Sequence, residues 1–236
     1  MNLAEHISKH IATVTGGDFV CAGQQGMGGG CINSAFRLDS KDTSYFVKTN
    51  VAHLQWMFEA EAAGLQAMSD TNTIRVPKPL CSGTAGNHSY LVMEYVPFGG
   101  GRSSTALGEQ LAAMHQHTTE AFGFHVNNTI GSTPQDNTPD TDWIRYWQQR
   151  RLGDQLELAG RNACGNALLT RGELLIEKVP AFFTDYRPRP SLLHGDLWSG
   201  NYSYTSDGQP IIFDPATYYG DRETDIATVS YTHLRA

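Results

Sequence analysis

The stretch Leu193-His194-Gly195-Asp196-Leu197-Trp198-Ser199-Gly200-Asn201, followed by Ile211-Ile212-Phe213-Asp214-Pro215, decides the reading of this chain. Gly195 and Gly200 mark a tight loop that carries an Asp and an Asn five positions apart. Ile211 to Phe213 reads as a short apolar strand that delivers a second Asp at its end. Loops rich in turn formers use Asp and Asn to cap backbone N–H groups, and an isolated Asp-x-x-x-x-Asn would be read that way. Here the loop and the strand-borne Asp follow several upstream segments with compatible chemistry.

The first of these is glycine-dense: Gly23-Gln24-Gln25-Gly26-Met27-Gly28-Gly29-Gly30-Cys31-Ile32-Asn33 leads to Phe36-Arg37-Leu38, a turn over Asp39 to Asp42, and the strand Tyr45-Phe46-Val47-Lys48. The pattern predicts a β-hairpin with a glycine loop at one end. Gly28, Gly29 and Gly30 lack a Cβ, so their N–H groups can approach phosphate oxygens; a flexible surface turn is the plainer alternative. The run matches neither the Rossmann nor the P-loop glycine pattern. Lys48, placed at the end of its strand, could reach into a cleft.

Trp56 to Met68 has strong helix formers throughout. Met57, Glu61, Leu65 and Met68 share a face, so Glu61 lies on the buried side and Glu59 points outward. A buried carboxylate needs a partner, and Lys48 is the natural one. Tyr90-Leu91-Val92-Met93-Glu94-Tyr95-Val96 is a nearly continuous apolar run, a buried strand. It enters Pro97-Phe98-Gly99-Gly100-Gly101, which sets a boundary between residues 1–97 and 98–236.

Beyond it, Thr105 to Thr118, Trp143 to Leu158 and Ala167 to Asp185 carry helical periodicity, and Asn127 to Asp142 reads as a polar loop. His115-Gln116-His117 is expected at a helix end or on the surface, because residues two apart face different ways. Trp143, Tyr146, Trp147 and Leu152 are expected as core. Taken together, Asp196, Asn201, Asp214, Lys48 and the glycine loop fit phosphoryl transfer. That reaction needs a carboxylate to orient the attacking hydroxyl and hard oxygen ligands for Mg²⁺ on ATP.

The whole chain sets bounds on that reading. Its 236 residues suffice for two small lobes, and 40% hydrophobic with 17% charged residues is an ordinary globular balance. A net charge of −7 with no basic run argues against nucleic-acid binding. No apolar stretch is long enough for a bilayer span, and Met1 to Ile7 lacks the features of a signal peptide, so a cytoplasmic protein is expected. Four scattered cysteines suggest neither a zinc site nor a disulfide framework. Cys31, beside the glycines and near Lys48, is a candidate redox-sensitive thiol or else a small packing residue.

The order of these parts resembles the protein-kinase-like fold of aminoglycoside and choline phosphotransferases. Finer wording narrows the resemblance to the fructosamine (ketosamine) kinase family. The carriers are Gly28 to Asn33, Phe46-Val47-Lys48-Thr49-Asn50, Met57 to Glu61, Phe122-Gly123-Phe124, Gly131 to Asn137, His194 to Asn201, and Asp214 to Asp225 with its Tyr218-Tyr219-Gly220-Asp221 centre. The resemblance implies an α+β bilobal fold, with a small N-terminal β-sheet lobe and a mostly helical C-terminal lobe. It implies ATP-dependent phosphorylation of a sugar hydroxyl on ketosamines, small or protein-bound; a monomer or weak homodimer is expected.

Under it, Asp196 acts on the acceptor hydroxyl, Asn201 and Asp214 hold Mg²⁺, and Lys48 with Glu61 steadies the phosphates. Backbone groups of Glu94, Tyr95 and Val96 meet adenine, and Trp198 is a candidate wall of the sugar pocket. His194 and Asp225 are expected to brace the loop. The family pattern continues past Ala227 with further helices, which Thr228 to Ala236 does not resemble. An aminoglycoside-type acceptor or a non-catalytic ATP-binding module are the alternatives.

Overall fold

A computed structural model describes residues 2–28, 33–101 and 103–233, with side chains up to Thr228. Gly29, Gly30 and Cys31, named above as a phosphate loop and a redox site, lie outside the described residues. The chain opens with helix α1 (Leu3–Thr15), started by a capping box between Asn2 and Glu5. Strands β1 (Gly23–Met27), β2 (Ser34–Asp39) and β3 (Ser44–Val51) follow, then α2 (Gln55–Asp70), β4 (Pro79–Ala85) and β5 (His88–Glu94). The five strands make one antiparallel sheet in the order β1-β2-β3-β5-β4.

Alternation along β3 sorts its side chains between two layers. Val47 and its cross-strand partner Val92 face α1, packing with Ile7, Ile11, Leu38 and Tyr90. Lys48 and its partner Leu91 face the other way, toward Phe58, Leu65 and Met68 of α2. Lys48 is thus an interior strand residue, three positions before the end of β3, where a strand-end residue was expected. It is buried, at 7% exposure.

After Pro97-Phe98 come α3 (Ser104–Met114), the small hairpin β6 (Asn128–Ile130) and β7 (Thr133–Gln135), and α4 (Trp143–Trp147). A π-helical segment, Gln148–Gly153, joins α4 to α5 (Asp154–Arg161) without a break, so one continuous helical run occupies the predicted span. Helix α6 (Asn166–Lys178) ends in a 3₁₀ turn over Val179–Phe183. Short strands β8 (Ser191–Leu193) and β11 (Tyr218–Gly220) pair with each other, as do β9 (Tyr202–Tyr204) and β10 (Pro210–Ile212), and α7 (Glu223–His233) follows.

The fold is α+β, with an N-terminal sheet lobe and a mainly helical remainder. One core joins them: Phe58, Leu65, Leu91 and Met93 pack with Leu111 and Met114 of α3, Leu192 of β8, Leu197 and Ile212 of β10. The strands that carry the Asp196 loop and Asp214 are therefore seated on the same apolar floor as the sheet face that carries Lys48. Among the described residues, no helix is long and apolar enough to cross a membrane.

Candidate active site

Lys48 stands at the centre of the site. Its Nζ donates to Glu61 Oε1 at 2.6 Å and to Asp214 Oδ1 at 2.5 Å. Glu61 sits three residues after Phe58 and four before Leu65, so the helical repeat that buries them brings it to the sheet. Burial alone would push the Lys48 ammonium down. The two carboxylates outweigh it and hold its pKa above the ordinary value, so Lys48 stays charged. Asp214 reaches Lys48 from a residue in the left-handed region, φ 58°, which Asp tolerates better than most side chains.

The Asp196 loop is fixed from beneath. Asp225, fully buried at the first turn of α7, accepts the backbone N–H groups of His194 and Gly195, each at 2.9 Å. His115 Nε2 lies 3.0 Å from the same carboxylate. His194 is itself buried, and its Nε2 lies 2.9 Å from the carbonyl of Phe213, tying the loop to the segment that bears Asp214. Burial lowers the His194 pKa, which suits a neutral ring that braces by hydrogen bonds. Gly195 has φ 81°, and a Cβ there would lie 2.1 Å from the Ala216 carbonyl oxygen. Only glycine fits.

Asn201 Nδ2 donates to the Asp196 carbonyl at 2.8 Å, to Asp196 Oδ2 at 3.1 Å, and more weakly toward the Asp214 carbonyl at 3.4 Å. The Asp–Asn spacing therefore closes the loop on itself and brings Asp196, Asn201 and Asp214 together. Burial pushes the Asp196 carboxyl up to about 6, with Asp214 and Asp225 adding repulsion and Asn201 opposing. Asn201 Oδ1 and the second oxygen of Asp214 have no hydrogen-bond partner among the described residues. Two hard oxygen donors of this kind suit Mg²⁺, which takes few protein ligands and fills its shell with phosphates and water. No group of three or more His, Cys, Asp or Glu side chains suited to a metal occurs among the described residues.

Asp196 also lines a cavity of ≈ 1000 Å³. Aromatic walls come from Trp143, Trp147, Phe182, Phe183 and Trp198, with the exposed Glu223 and the buried Asp221 as acidic lining groups. Trp198 is 44% exposed, and its ring lies over Gly200, where a Cβ would come within 2.3 Å of it. Trp143 and Tyr146 are core residues as expected, at 5% and 0% exposure. Trp143, Trp147 and Leu152 nonetheless also face the cavity, a second role that was not anticipated. At the other end, Glu94 is already engaged: its N–H donates to the Lys78 carbonyl at 2.9 Å, and its carboxylate pairs with Arg75. The backbone groups of Tyr95 and Val96 have no hydrogen-bond partner among the described residues. Phe98 stacks on Phe213 at 5.3 Å, so the link after β5 abuts the residue before Asp214.

Asp196, Asn201, Asp214, Lys48 and Glu61 thus form one connected set, with Trp198 beside Asp196 in the cavity wall. Gly28 directly follows β1 at the edge of the described residues. His115 was expected at a helix end or on the surface; it caps α3 but is buried, because Asp225 supplies its partner from 110 residues away.

Residues 3–234 match the family model described as fructosamine kinase. A Synechocystis protein named "probable ketoamine kinase" is 45% identical over 224 residues, covering 94% of this chain and 75% of its own length. The chloroplastic protein-ribulosamine 3-kinase of Arabidopsis thaliana is 48% identical over 205 residues, covering 84% of this chain and 62% of that protein. The chain thus spans under two thirds of the plant enzyme. A crystal structure from Haemophilus somnus, of a protein named "putative fructosamine-3-kinase", superposes with TM-score 0.86 at 27% identity, covering 99% of this chain and 83% of the other. An aminoglycoside phosphotransferase shares the fold alone, at TM-score 0.64 and 13% identity, over 96% of this chain and 77% of its own. With the family model and both relatives agreeing over most of its length, this chain belongs to the fructosamine kinase family.

Proposed function

We propose that the protein transfers the γ-phosphoryl group of ATP to a sugar hydroxyl of a ketosamine, the substrate class in the names of its relatives. The observation that carries the reading is the Lys48 ammonium held between Glu61 and Asp214, with Asp196 and Asn201 converging on the same point. In this arrangement catalysis is mostly positioning and charge stabilisation. Asp196 accepts a hydrogen bond from the attacking hydroxyl and takes its proton late in the transfer. Lys48, anchored by Glu61, binds phosphate oxygens. Asn201 Oδ1 and Asp214 would hold Mg²⁺, which when bound neutralises phosphate charge. The free backbone groups of Tyr95 and Val96 suit adenine, and the glycines from Gly28 onward suit the phosphates. Residues 1–97 would serve the nucleotide and the remainder the acceptor.

The cavity beside Asp196 is the acceptor site in this reading. Trp198 provides a face for the sugar, and the acidic lining of Asp221 and Glu223 suits the positively charged amine of a ketosamine. An acidic lining also fits an aminoglycoside, which keeps that acceptor as the second reading. ADP release measured with a fructosamine, with an aminoglycoside and with neither separates the two. Release only with the fructosamine supports the proposal; release only with the aminoglycoside overturns it.

A further inference from the structure

We infer that the helical part carries a second ligand site, a small pocket for a tetrahedral oxyanion of the phosphate class, held by Arg187, Arg189 and Arg222 over Ser191. These residues, with His115, Gln116, Thr118 and Tyr186, line a cavity of ≈ 100 Å³ that contains no carboxylate. That space holds an ion of a few water volumes, at about 30 Å³ per water. It is too small for a nucleotide.

The charge balance of the pocket is unusual for this chain. The protein carries a net charge of −7, and elsewhere Arg145 is paired with Asp140 and Arg150 with Asp136. Among the described residues, Arg187 and Arg189 have no carboxylate within salt-bridge reach, and Arg189 makes only a long contact to Thr118 Oγ1 at 3.4 Å. Arg222 meets Glu223 only at 3.7 Å, with both side chains more than half exposed. The nearby acids are committed elsewhere: Asp221 to the Tyr186 hydroxyl at 2.9 Å, and Asp225 to His115 and the loop amides. Three guanidinium groups around one cavity form the forked donor set that oxyanions take.

Ser191, 3% exposed, forms the floor and offers its hydroxyl as a further donor. It opens β8, two residues before the Asp196 loop begins. His115, another wall, holds Asp225 on its Nε2, and Asp225 holds the amides of that loop. An oxyanion bound here would sit one side chain away from the machinery that positions Asp196. The site is independent of the kinase reading, since it uses none of the residues assigned to nucleotide or acceptor.

Isothermal titration of the full chain with inorganic phosphate, at fixed ionic strength and with ADP present to occupy any nucleotide site, tests the inference. The parent should show saturable one-site binding, weakened about tenfold or more in an Arg187→Ala/Arg189→Ala variant, as loss of charge-assisted bonds requires. Both arginines are exposed, so the variant should fold. Ser191→Ala should weaken binding less. Glycerol 3-phosphate in a second arm tells the two sources of the ligand apart: tighter binding than free phosphate points to a phosphorylated metabolite, and weaker binding to phosphate itself. Absence of saturable binding of either, or equal binding by parent and double variant, overturns the site.

Discussion

Asp196 is half-buried beside two other carboxylates, and that environment makes two separate predictions. Its pKa near 6 means that the proposed proton acceptor is lost as pH falls through that value. The acceptor-dependent rate should therefore fall on the acid side with a midpoint near pH 6, as a pH–rate profile would show. Asp196→Asn should cut turnover by roughly 10²–10⁴, the usual contribution of a positioned base, while ADP binding stays near the parent value. Turnover at the parent rate would remove Asp196 from the mechanism. The same substitution should affect stability in the opposite direction. A carboxyl with a raised folded-state pKa favours the fold when protonated and loses that contribution as pH rises through about 6. Asp196→Asn should thus melt higher than the parent at pH 7.5, and the gain should vanish by pH 4, readable by calorimetry at both pH values.

Gly200 allows a separate test of Trp198. A Cβ at Gly200 meets the indole ring, and that ring is 44% exposed, so it can swing aside at little cost in stability. Gly200→Ala should raise KM for the acceptor several-fold and leave KM for ATP and the melting temperature nearly unchanged. An unaltered acceptor KM would mean that Trp198 does not shape the acceptor pocket.

At the scale of elements, the parts that were legible in the sequence are those governed by local periodicity. Glu61 and Glu59 separate cleanly because a helix repeats every 3.6 residues. Strand β4 was not anticipated in the sequence, where Pro79 stands at its first position. It is an edge strand, and a proline at its first residue forfeits no ladder bond. The hairpin β6–β7 was masked by Pro134, which it carries at its centre. His115 was illegible for another reason: its partner lies on α7, and no local pattern links a helix end to a residue so distant.

That long-range contact predicts a mechanical weakness. Asp225 accepts from two loop amides and faces the His115 ring, all within the core. Asp225→Ala strands these donors, at roughly 1–3 kcal/mol for each buried donor left unsatisfied. The urea midpoint should drop sharply, with Asp225→Asn falling between variant and parent. A midpoint unchanged by Asp225→Ala would show that the loop is held by its glycine and Asn201 contacts instead.

At the scale of the molecule, the proposed catalytic set is divided between the sheet and the helical remainder, which share one core. The sheet contributes Lys48, α2 contributes Glu61, and the β8–β11 region contributes Asp196, Asn201 and Asp214. Arg75 bridges to Ile211 and Phe98 stacks on Phe213, so the two parts touch along the strand that leads to Asp214. A ligand that grips both sides should stabilise the whole fold. At a hundredfold excess over Kd it adds about 2.7 kcal/mol, and a chain of this size gains roughly 2–4 °C in Tm per kcal/mol.

Mg²⁺ with ADP should therefore raise Tm by several degrees over ADP alone. Asp214→Asn is the informative variant, because Asn tolerates the φ of 58° and still accepts from Lys48 while losing the anionic oxygen that would face the metal. An alanine there would confuse backbone strain with metal loss. In Asp214→Asn the metal-dependent increment should shrink by more than half, with the response to metal-free ADP preserved. If the variant and the parent gain the same increment from Mg²⁺, Asp214 is an anchor for Lys48 alone, and the oxygen ligands must be sought elsewhere in the cleft.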